Sequence, residues 1–463
     1  MIAPADRSLP RADAGLLVAL YALEVAALLA ALAFNRYYNF FGDLTVQRAI
    51  VLIVPVALSL ASCSYVVFRY RRLRRIDARQ FTFTLAANLI AIALLLAAGE
   101  LVVRAFSVRA PTGRSFAGTV LLPKSWDEVK ARNAEVVAQA NVSYLVADDV
   151  LGWVPGTNRR SADGLYSSSA EGLRSARPGI SYAASPAPHR VAIVGDSYTF
   201  GLEVPFEDSW GSALEKSLGT DVTVLNFGVN GYGVDQASLR YERDGRPWRP
   251  EVAIFGFIEH DLYRSLSVYS FVTFPDWDLA FSKPRFVLTA GRLERLSDRV
   301  VSPAQILTTS SVTDLPFLGY DPGYNPDEWE QHLYDASFLI RFLLSRFPRW
   351  PAEGTGDRDN ELEEINSELV VRFTRRATAD GTAPVVAYFP SRGDFTGQDR
   401  STKDRVLAAL QRKGVAYLDL TSCIGAIGEE QAFIPGRPHY SAEGNAAVAR
   451  CLLPAVRDRL TRR

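Results

Sequence analysis

Ser197 is the residue of this chain whose position best suits a chemical role. It stands in the sequence Arg190–Leu202, RVAIVGDSYTFGL, where a short apolar run is followed directly by Gly-Asp-Ser. A serine hydroxyl attacks a carbonyl carbon only when a base takes its proton and when hydrogen-bond donors stabilise the oxyanion that forms. The histidines that could act as this base are His189, His260, His332 and His439. His439 stands in a loop sequence, PGRPHYSAEGN, from which it could reach across a cleft. We therefore predict Ser197 as a nucleophile and His439 as its base; the alternative is a turn serine that satisfies backbone groups.

Four blocks follow one another within residues 190–460, namely GDSYTFG, NFGVNGYG, GFIEHD and HYSAEGN. In these blocks the chain resembles the SGNH (GDSL) hydrolase family. The resemblance implies that Ser197 is the nucleophile and His439 the base. It also implies an oxyanion hole made by the Ser197 amide, by Gly231 and by the residue at the asparagine position of the third block. That position holds His260 here, and an imidazole N–H can also donate to an oxyanion.

The acid that this family usually carries two or three residues before its histidine is absent, because Gly436 and Arg437 occupy those positions. The imidazole then needs another acceptor to fix its tautomer and to stabilise its charged form. Asp419 and Glu443 are the candidate orienting acids. If Arg437 pointed inward it would disfavour the charged imidazole or bind an anionic substrate, whereas an outward-facing Arg437 would be an ordinary loop residue.

Strand and helix patterns alternate around these blocks and predict an α/β fold, a doubly wound parallel sheet of the flavodoxin-like type. The predicted strands are Val191–Val194, Val222–Asn226, Val252–Phe257, Val385–Phe389 and Val415–Leu418. The predicted helices cover 206–218, 235–243, 362–378, 403–413 and the residues from about 443. The carboxyl ends of the strands in such a sheet face the ligand crevice, and Ser197 falls at one of them.

Two irregular segments accompany the predicted hydrolase domain, which covers residues 190–463. Residues 107–189 contain Leu-Gly-Trp153 and a Ser/Gly-rich stretch, and they are expected to form a connector that packs on this domain. Residues from about 262 to 361 are aromatic-rich and too long for an ordinary connection between elements. We predict that they form an insertion that covers the cleft.

The first 106 residues are expected to form a membrane domain. Residues 15–34, 49–68 and 81–103 are each about twenty predominantly apolar residues, the length that crosses a bilayer as a helix. Arginines cluster between the second and third stretches, and positive loops stay in the cytoplasm. This predicts a multi-pass protein of the bacterial inner membrane, with a cytoplasmic N-terminus and a periplasmic or extracellular C-terminal domain.

Cysteine and charge patterns add further expectations. Cys423 and Cys451 flank the His439 loop, and an oxidising compartment favours a disulfide between them; the alternative is two buried thiols. We expect no cofactor, and a cation held by His260, Asp261 and His439 ranks below the oxyanion-hole interpretation. The chain has 51 basic and 51 acidic residues, and no basic stripe suggests nucleic acid.

These observations predict a membrane-anchored extracytoplasmic serine esterase or acyl-transferring enzyme. Its substrates would be ester-linked acyl groups of an envelope glycan or exopolysaccharide. Its expected partners are the lipid bilayer, the acylated glycan or another ester, and polysaccharide-assembly proteins of the envelope. The alternative is a catalytically inactive SGNH-fold protein that binds carbohydrate or serves as a scaffold. The missing acid and the histidine at the asparagine position favour that alternative.

Overall fold

The computed structural model describes residues 90, 93–94, 96–139, 143–277, 279–345, 355–396 and 401–462. The described residues fall into two compact units, one drawn from 1–125 and 325–354 and the other from 126–324 and 355–463. The predicted membrane spans 15–34 and 49–68 lie outside the described residues, and so does most of 81–95. Within the described residues, no helix is both long enough and apolar enough to cross a bilayer.

The elements alternate between strands and helices over most of the described chain. In chain order the strands are β1 Val108–Ala110, β2 Gly113–Phe116, β3 Thr119–Leu121, β4 Leu145–Asp148, β5 Gly152–Pro155, β6 Ser167–Ser168, β7 Arg174–Ser175, β8 His189–Val194, β9 Val222–Asn226, β10 Val252–Phe257, β11 Phe286–Thr289, β12 Arg292–Arg295, β13 Ala383–Tyr388 and β14 Tyr417–Asp419. Residues 96–106 are helical. The α-helices after them are α1 Trp126–Ala138, α2 Ser197–Phe200, α3 Trp210–Leu218, α4 Val234–Arg240, α5 Glu259–Arg264, α6 Ser270–Thr273, α7 Pro303–Thr308, α8 Phe338–Ser345, α9 Thr355–Ala379, α10 Ser401–Arg412, α11 Thr421–Gly425, α12 Glu429–Ala432 and α13 Ala442–Thr461.

The second unit is built on a parallel sheet with strand order β14-β13-β10-β8-β9. The predicted parallel sheet is therefore confirmed, and β9 and β10 have the predicted bounds. If these five strands alone are numbered along the chain and the sheet is read from its β9 edge, their order is 2-1-3-4-5. The direction of winding in this order reverses between β8 and β10. The crevice of such a sheet opens at this reversal, beyond the carboxyl ends of β8 and β10.

Helices cover both faces of the sheet, which explains why its central strands are apolar on both sides. Helices α3 and α13 pack together on one face, while α4, α9 and α10 pack on the other. Side chains of β8 alternate between two hydrophobic cores: Val191 and Ile193 join one, and Ala192 and Val194 join the other. Strand β8 is thus fixed from both faces just before it reaches Ser197.

The predicted connector and insertion contribute short elements. From residue 126 onward the connector belongs to the same unit as the sheet, and it contains α1, the β4–β5 hairpin and the β6–β7 pair. Residues of the insertion up to 324 belong to this unit as well and include α6, the β11–β12 hairpin and α7. The first unit carries a three-stranded antiparallel sheet of β1, β2 and β3.

A buried ion pair ties the insertion to the sheet's unit. Lys283 of the insertion contacts Asp235 of α4, and both side chains are almost fully buried. Burial raises the pKa of Asp235 and lowers the pKa of Lys283, because both charges leave water. Lys283 also donates to the carbonyl of Pro284 at 3.0 Å. The insertion is therefore anchored at this point by charge as well as by packing.

Candidate active site

Ser197 begins α2, immediately beyond the carboxyl end of β8. The turn between them requires Gly195, since a β-carbon there would overlap the carbonyl oxygen of Gly256 in β10. Asp196 caps the helix by accepting hydrogen bonds from the Tyr198 and Thr199 amides at 2.9 and 3.4 Å. A tight turn and a cap thus aim the first residue of α2 at the crevice.

The structure brings Ser197 and His439 together, although they are far apart in the sequence. His439 Nε2 lies 3.0 Å from Ser197 Oγ, and His439 Nδ1 lies 2.9 Å from Glu203 Oε2. Because the Glu203 carboxylate accepts from Nδ1–H, Nε2 is left free to accept the serine proton. Nucleophile, base and acid form one hydrogen-bonded chain with distances suited to proton transfer.

Glu203, and not Asp419 or Glu443, is the acid that contacts the histidine, so the two sequence candidates are corrected. Asp419 accepts from the Thr421 amide at 2.9 Å and pairs with Lys403 at 3.3 Å. Glu443 lies exposed in the first turn of α13. Asp419 and Glu443 are nearer to His439 in the sequence than Glu203 is. The acid that contacts His439 nevertheless comes from the turn after α2, which the fold brings to the histidine.

The Arg437 side chain lies near the carboxylate of Glu203. Its Nη1 lies 3.6 Å from Glu203 Oε1, and its side chain is 67% exposed. The two oxygens of Glu203 thus face different partners, His439 and Arg437. A contact this long and this exposed adds little to stability.

The His439 loop is held from two directions. Tyr198 donates its hydroxyl to the Pro438 carbonyl at 2.6 Å, and its ring packs 5.2 Å from the imidazole. A disulfide joins Cys423 of α11 to Cys451 of α13, as the positions of these residues around the loop suggested. The residue beside the nucleophile therefore also positions the base.

Gly231 lies in a turn of the second sequence block, with φ of 80°. Trp153 of β5 supports this turn by donating its indole N–H to the Asn230 carbonyl at 2.9 Å. Within the described residues, neither the Ser197 amide nor the Gly231 amide donates to a protein acceptor. Both amides are therefore free to donate to an oxyanion, the role that the family resemblance implies for them.

His260 is the second residue of α5, just beyond the carboxyl end of β10. Its side chain reaches solvent and has no hydrogen-bond partner among the described residues. Desolvation by the surrounding protein, together with the positive charge of Arg264, lowers the pKa of His260. The neutral imidazole is therefore favoured, and its N–H remains available as a donor.

Buried charges lie behind the nucleophile. Arg264 Nη1 contacts Asp261 Oδ1 at 2.6 Å and lies 3.5 Å from Asp196 Oδ2. The same Asp196 oxygen is 3.3 Å from Ser197 Oγ. Burial and the nearby Asp196 raise the pKa of Asp261 well above its usual range. Asp261 is paired with Arg264, and no group of three or more potential metal ligands occurs within the described residues.

No protein-family model and no curated protein matches this sequence. Among solved structures, the chain is similar to a member of the lipolytic protein G-D-S-L family from Veillonella parvula, with 12% identity, a TM-score of 0.30, and coverage of 57% of this chain and 97% of that one. It is also similar to a carbohydrate acetylesterase family member from Sinorhizobium meliloti (15% identity, TM-score 0.28, 59% and 99% coverage). An acetylxylan esterase from Geobacillus stearothermophilus gives 11% identity, a TM-score of 0.32, and 58% and 94% coverage.

Proposed function

We propose that this protein is a serine ester hydrolase or an acyl-transferring enzyme that uses Ser197 as its nucleophile. The observation that carries the proposal is the hydrogen-bonded chain from Ser197 Oγ through His439 to Glu203, with distances of 3.0 and 2.9 Å. A turn serine that merely satisfied backbone groups would not need a histidine held by a carboxylate.

The geometry supports acyl transfer in two steps. His439 Nε2 takes the Ser197 proton while Oγ bonds to the ester carbonyl carbon, and the carbonyl oxygen becomes an oxyanion. The amides of Ser197 and Gly231, with the neutral imidazole of His260, donate to that oxyanion. As the tetrahedral intermediate collapses, His439 gives its proton to the departing alcohol and the acyl group stays on Ser197. Water or an acceptor hydroxyl then attacks the acyl-enzyme by the same route, and the choice between them separates hydrolysis from transfer.

Glu203 supports both steps without touching the substrate. It keeps the Nδ1–H tautomer of His439, which leaves Nε2 unprotonated before each attack. It also stabilises the imidazolium that forms when His439 takes the proton. The acid that the fourth sequence block lacks is thus supplied by the segment that follows the nucleophile.

The location and substrate of the enzyme belong to the same proposal. Three predicted membrane spans in the first 106 residues, with arginines clustered between the second and the third, favour a bacterial inner-membrane protein whose catalytic unit faces the periplasm or the exterior. The Cys423–Cys451 disulfide suits an oxidising compartment. Ester-linked acyl groups on an envelope glycan or exopolysaccharide are the substrates that such a location favours.

Covalent labelling tests the proposal without a known substrate. The full-length protein, purified in detergent, is treated with a fluorophosphonate and mapped by mass spectrometry. We expect one adduct on Ser197, and none in Ser197→Ala or His439→Ala. Ser217→Ala, which removes an exposed serine of α3, is the matched control and should label as the wild type does. A folded wild type that does not label would instead favour the inactive carbohydrate-binding or scaffolding protein.

A further inference from the structure

Glu203 occupies a left-handed backbone conformation, with φ of 69°. A residue with a β-carbon adopts this region at a cost and keeps it when its surroundings hold it there. The turn follows α2 directly, because Gly201 ends that helix. The direction of the Glu203 carboxylate therefore depends on whatever fixes the backbone of this turn.

Two side chains of the connector bind this turn on either side of the Glu203 α-carbon. The hydroxyl oxygen of Tyr166 accepts a hydrogen bond from the Glu203 amide at 2.9 Å. Arg174 Nη2 donates to the carbonyl of Val204 at 2.7 Å. The first contact fixes the chain where it enters Glu203, and the second fixes it one residue later.

Arg174 is buried, and its guanidinium lies against two aromatic rings that also contact each other. Its residue is 1% exposed, and its Cζ lies 4.7 Å from the Tyr166 ring centre and 4.3 Å from that of Phe200. Within the described residues, Nε and Nη1 have no hydrogen-bond partner, and burial lowers the pKa of this guanidinium. A cation buried in this way costs stability that the aromatic rings offset only in part.

The placement of Arg174 connects the nucleophile with the acid. Phe200 is the last residue of α2, whose first residue is Ser197, while Val204 directly follows Glu203. Arg174 thus contacts the helix that carries the nucleophile and the turn that carries the acid. Tyr166 contacts the same two parts, through its ring on Phe200 and its hydroxyl on the Glu203 amide.

We propose that Tyr166 and Arg174 are positioning residues that hold Glu203 so that its carboxylate reaches His439 Nδ1. The inference rests on the proposed function, since it assumes that Ser197, His439 and Glu203 act together in catalysis. It gives these two side chains of the connector, which precedes all four sequence blocks, a part in placing the acid. The contribution of Tyr166 and Arg174 to the reaction passes entirely through Glu203.

The test measures the rate of fluorophosphonate labelling at Ser197 in full-length protein, resolved into kinact and KI. Tyr166→Phe removes one hydrogen bond to the Glu203 turn, and Arg174→Met removes the other. We expect each to lower kinact by a factor of about five to ten, with KI unchanged, because a weakly held acid impairs proton transfer and not binding. In a Glu203→Gln background the same substitutions should have little further effect, since the carboxylate they position is gone.

Tyr144→Phe is the matched control. Tyr144 belongs to the same aromatic cluster, with its ring 6.1 Å from Tyr166 and 5.9 Å from Phe200, but its hydroxyl contacts the Ser167 carbonyl and not Glu203. It should label at the wild-type rate.

If Tyr166→Phe lowers the rate equally with and without Glu203, its role is structural and the inference is wrong. If the wild type labels but Tyr166→Phe matches it, the inference fails while the proposed function stands. A wild type that does not label overturns both.

Discussion

The two ring nitrogens of His439 contact side chains from one short segment, Ser197 at one nitrogen and Glu203 at the other. Both contacts come from a helical turn and the bend that follows it. Their mutual distance is therefore set locally, and only the histidine must be brought in from the far end of the chain. The precision of the site depends on how firmly the His439 loop is docked.

Replacing Glu203 with glutamine tests the role of the acid. Glu203→Gln keeps the shape but loses the charge that stabilises the imidazolium and fixes its tautomer. We expect ester turnover to fall by a factor on the order of 10³ or more, by comparison with other serine triads whose acid is replaced by an amide. Hydrolysis of a small chromogenic ester would measure this. Glu443→Gln serves as control, and a comparable loss in that variant would restore Glu443 as the acid.

His260 offers a second test at the level of one side chain. If its N–H stabilises the oxyanion, His260→Ala should lower kcat by a factor of about 10² to 10³, while His260→Asn restores a donor and recovers much of that loss. KM should change little in either variant, because the contact strengthens only in the transition state. Equal activity of His260→Ala and the wild type would remove His260 from the oxyanion hole.

The lowered pKa of His260 also predicts a pH effect on stability. Its ordinary value is 6.5, so below that pH the unfolded chain binds a proton that the folded protein resists. The stability associated with the neutral ring is present above pH 6.5 and is lost as the pH falls below it. Urea unfolding between pH 5 and 7 should therefore show a shallower pH slope for His260→Asn than for the wild type. Equal pH slopes of the unfolding free energy in the two proteins would contradict a lowered pKa of His260.

The sequence predicted best the strands and helices that can be recognised from a short run of neighbouring residues. Strands β9 and β10 were located to the residue, since each is a continuous apolar run between polar turns, and β8 began only two residues earlier than expected. Ser197 and His439 could be assigned because each stands in a recognisable block. Glu203 could not, because only the tertiary structure shows that the turn after α2 faces the His439 loop. Its position six residues after Ser197 was the available signal.

The short strands β4 to β7 escaped prediction for a related reason. They consist of two to four residues each, too few to show a period, and their bounds depend on the turns between them. The connector therefore read as irregular in the sequence. In the structure it supplies Trp153 to the Gly231 turn and Tyr166 to the Glu203 turn.

The buried pair of Lys283 and Asp235 predicts a measurable coupling between the insertion and α4. Lys283→Met alone leaves a buried carboxylate without its cation, and we expect the free energy of unfolding to fall by about 3 to 5 kcal/mol. The double variant Lys283→Met, Asp235→Leu removes both charges and should recover a large part of that loss. Denaturant unfolding of the wild type, the two single variants Lys283→Met and Asp235→Leu, and the double variant measures the coupling. Additive losses would show that the pair does not act as a unit.

At the scale of the whole molecule, the proposed arrangement separates a membrane domain from a catalytic unit. Reporter fusions test it in the natural membrane. Alkaline phosphatase, which is active only outside the cytoplasm, should be active when fused after residue 107 and inactive when fused after residue 75, within the arginine cluster. The reverse pattern would place the catalytic unit in the cytoplasm, and activity at neither site would remove the third span.

The position of Glu203 has a consequence for the classification of related chains. A search for active homologues that demands an acid just before the histidine would discard this protein as a degenerate copy. The signature to search for is Gly-Asp-Ser followed by five residues and a glutamate. The proposed nucleophile and acid of such a chain would be inherited or lost together, because they lie in one short segment. Chains that keep both, together with a distant histidine, are candidates for the same proposed chemistry.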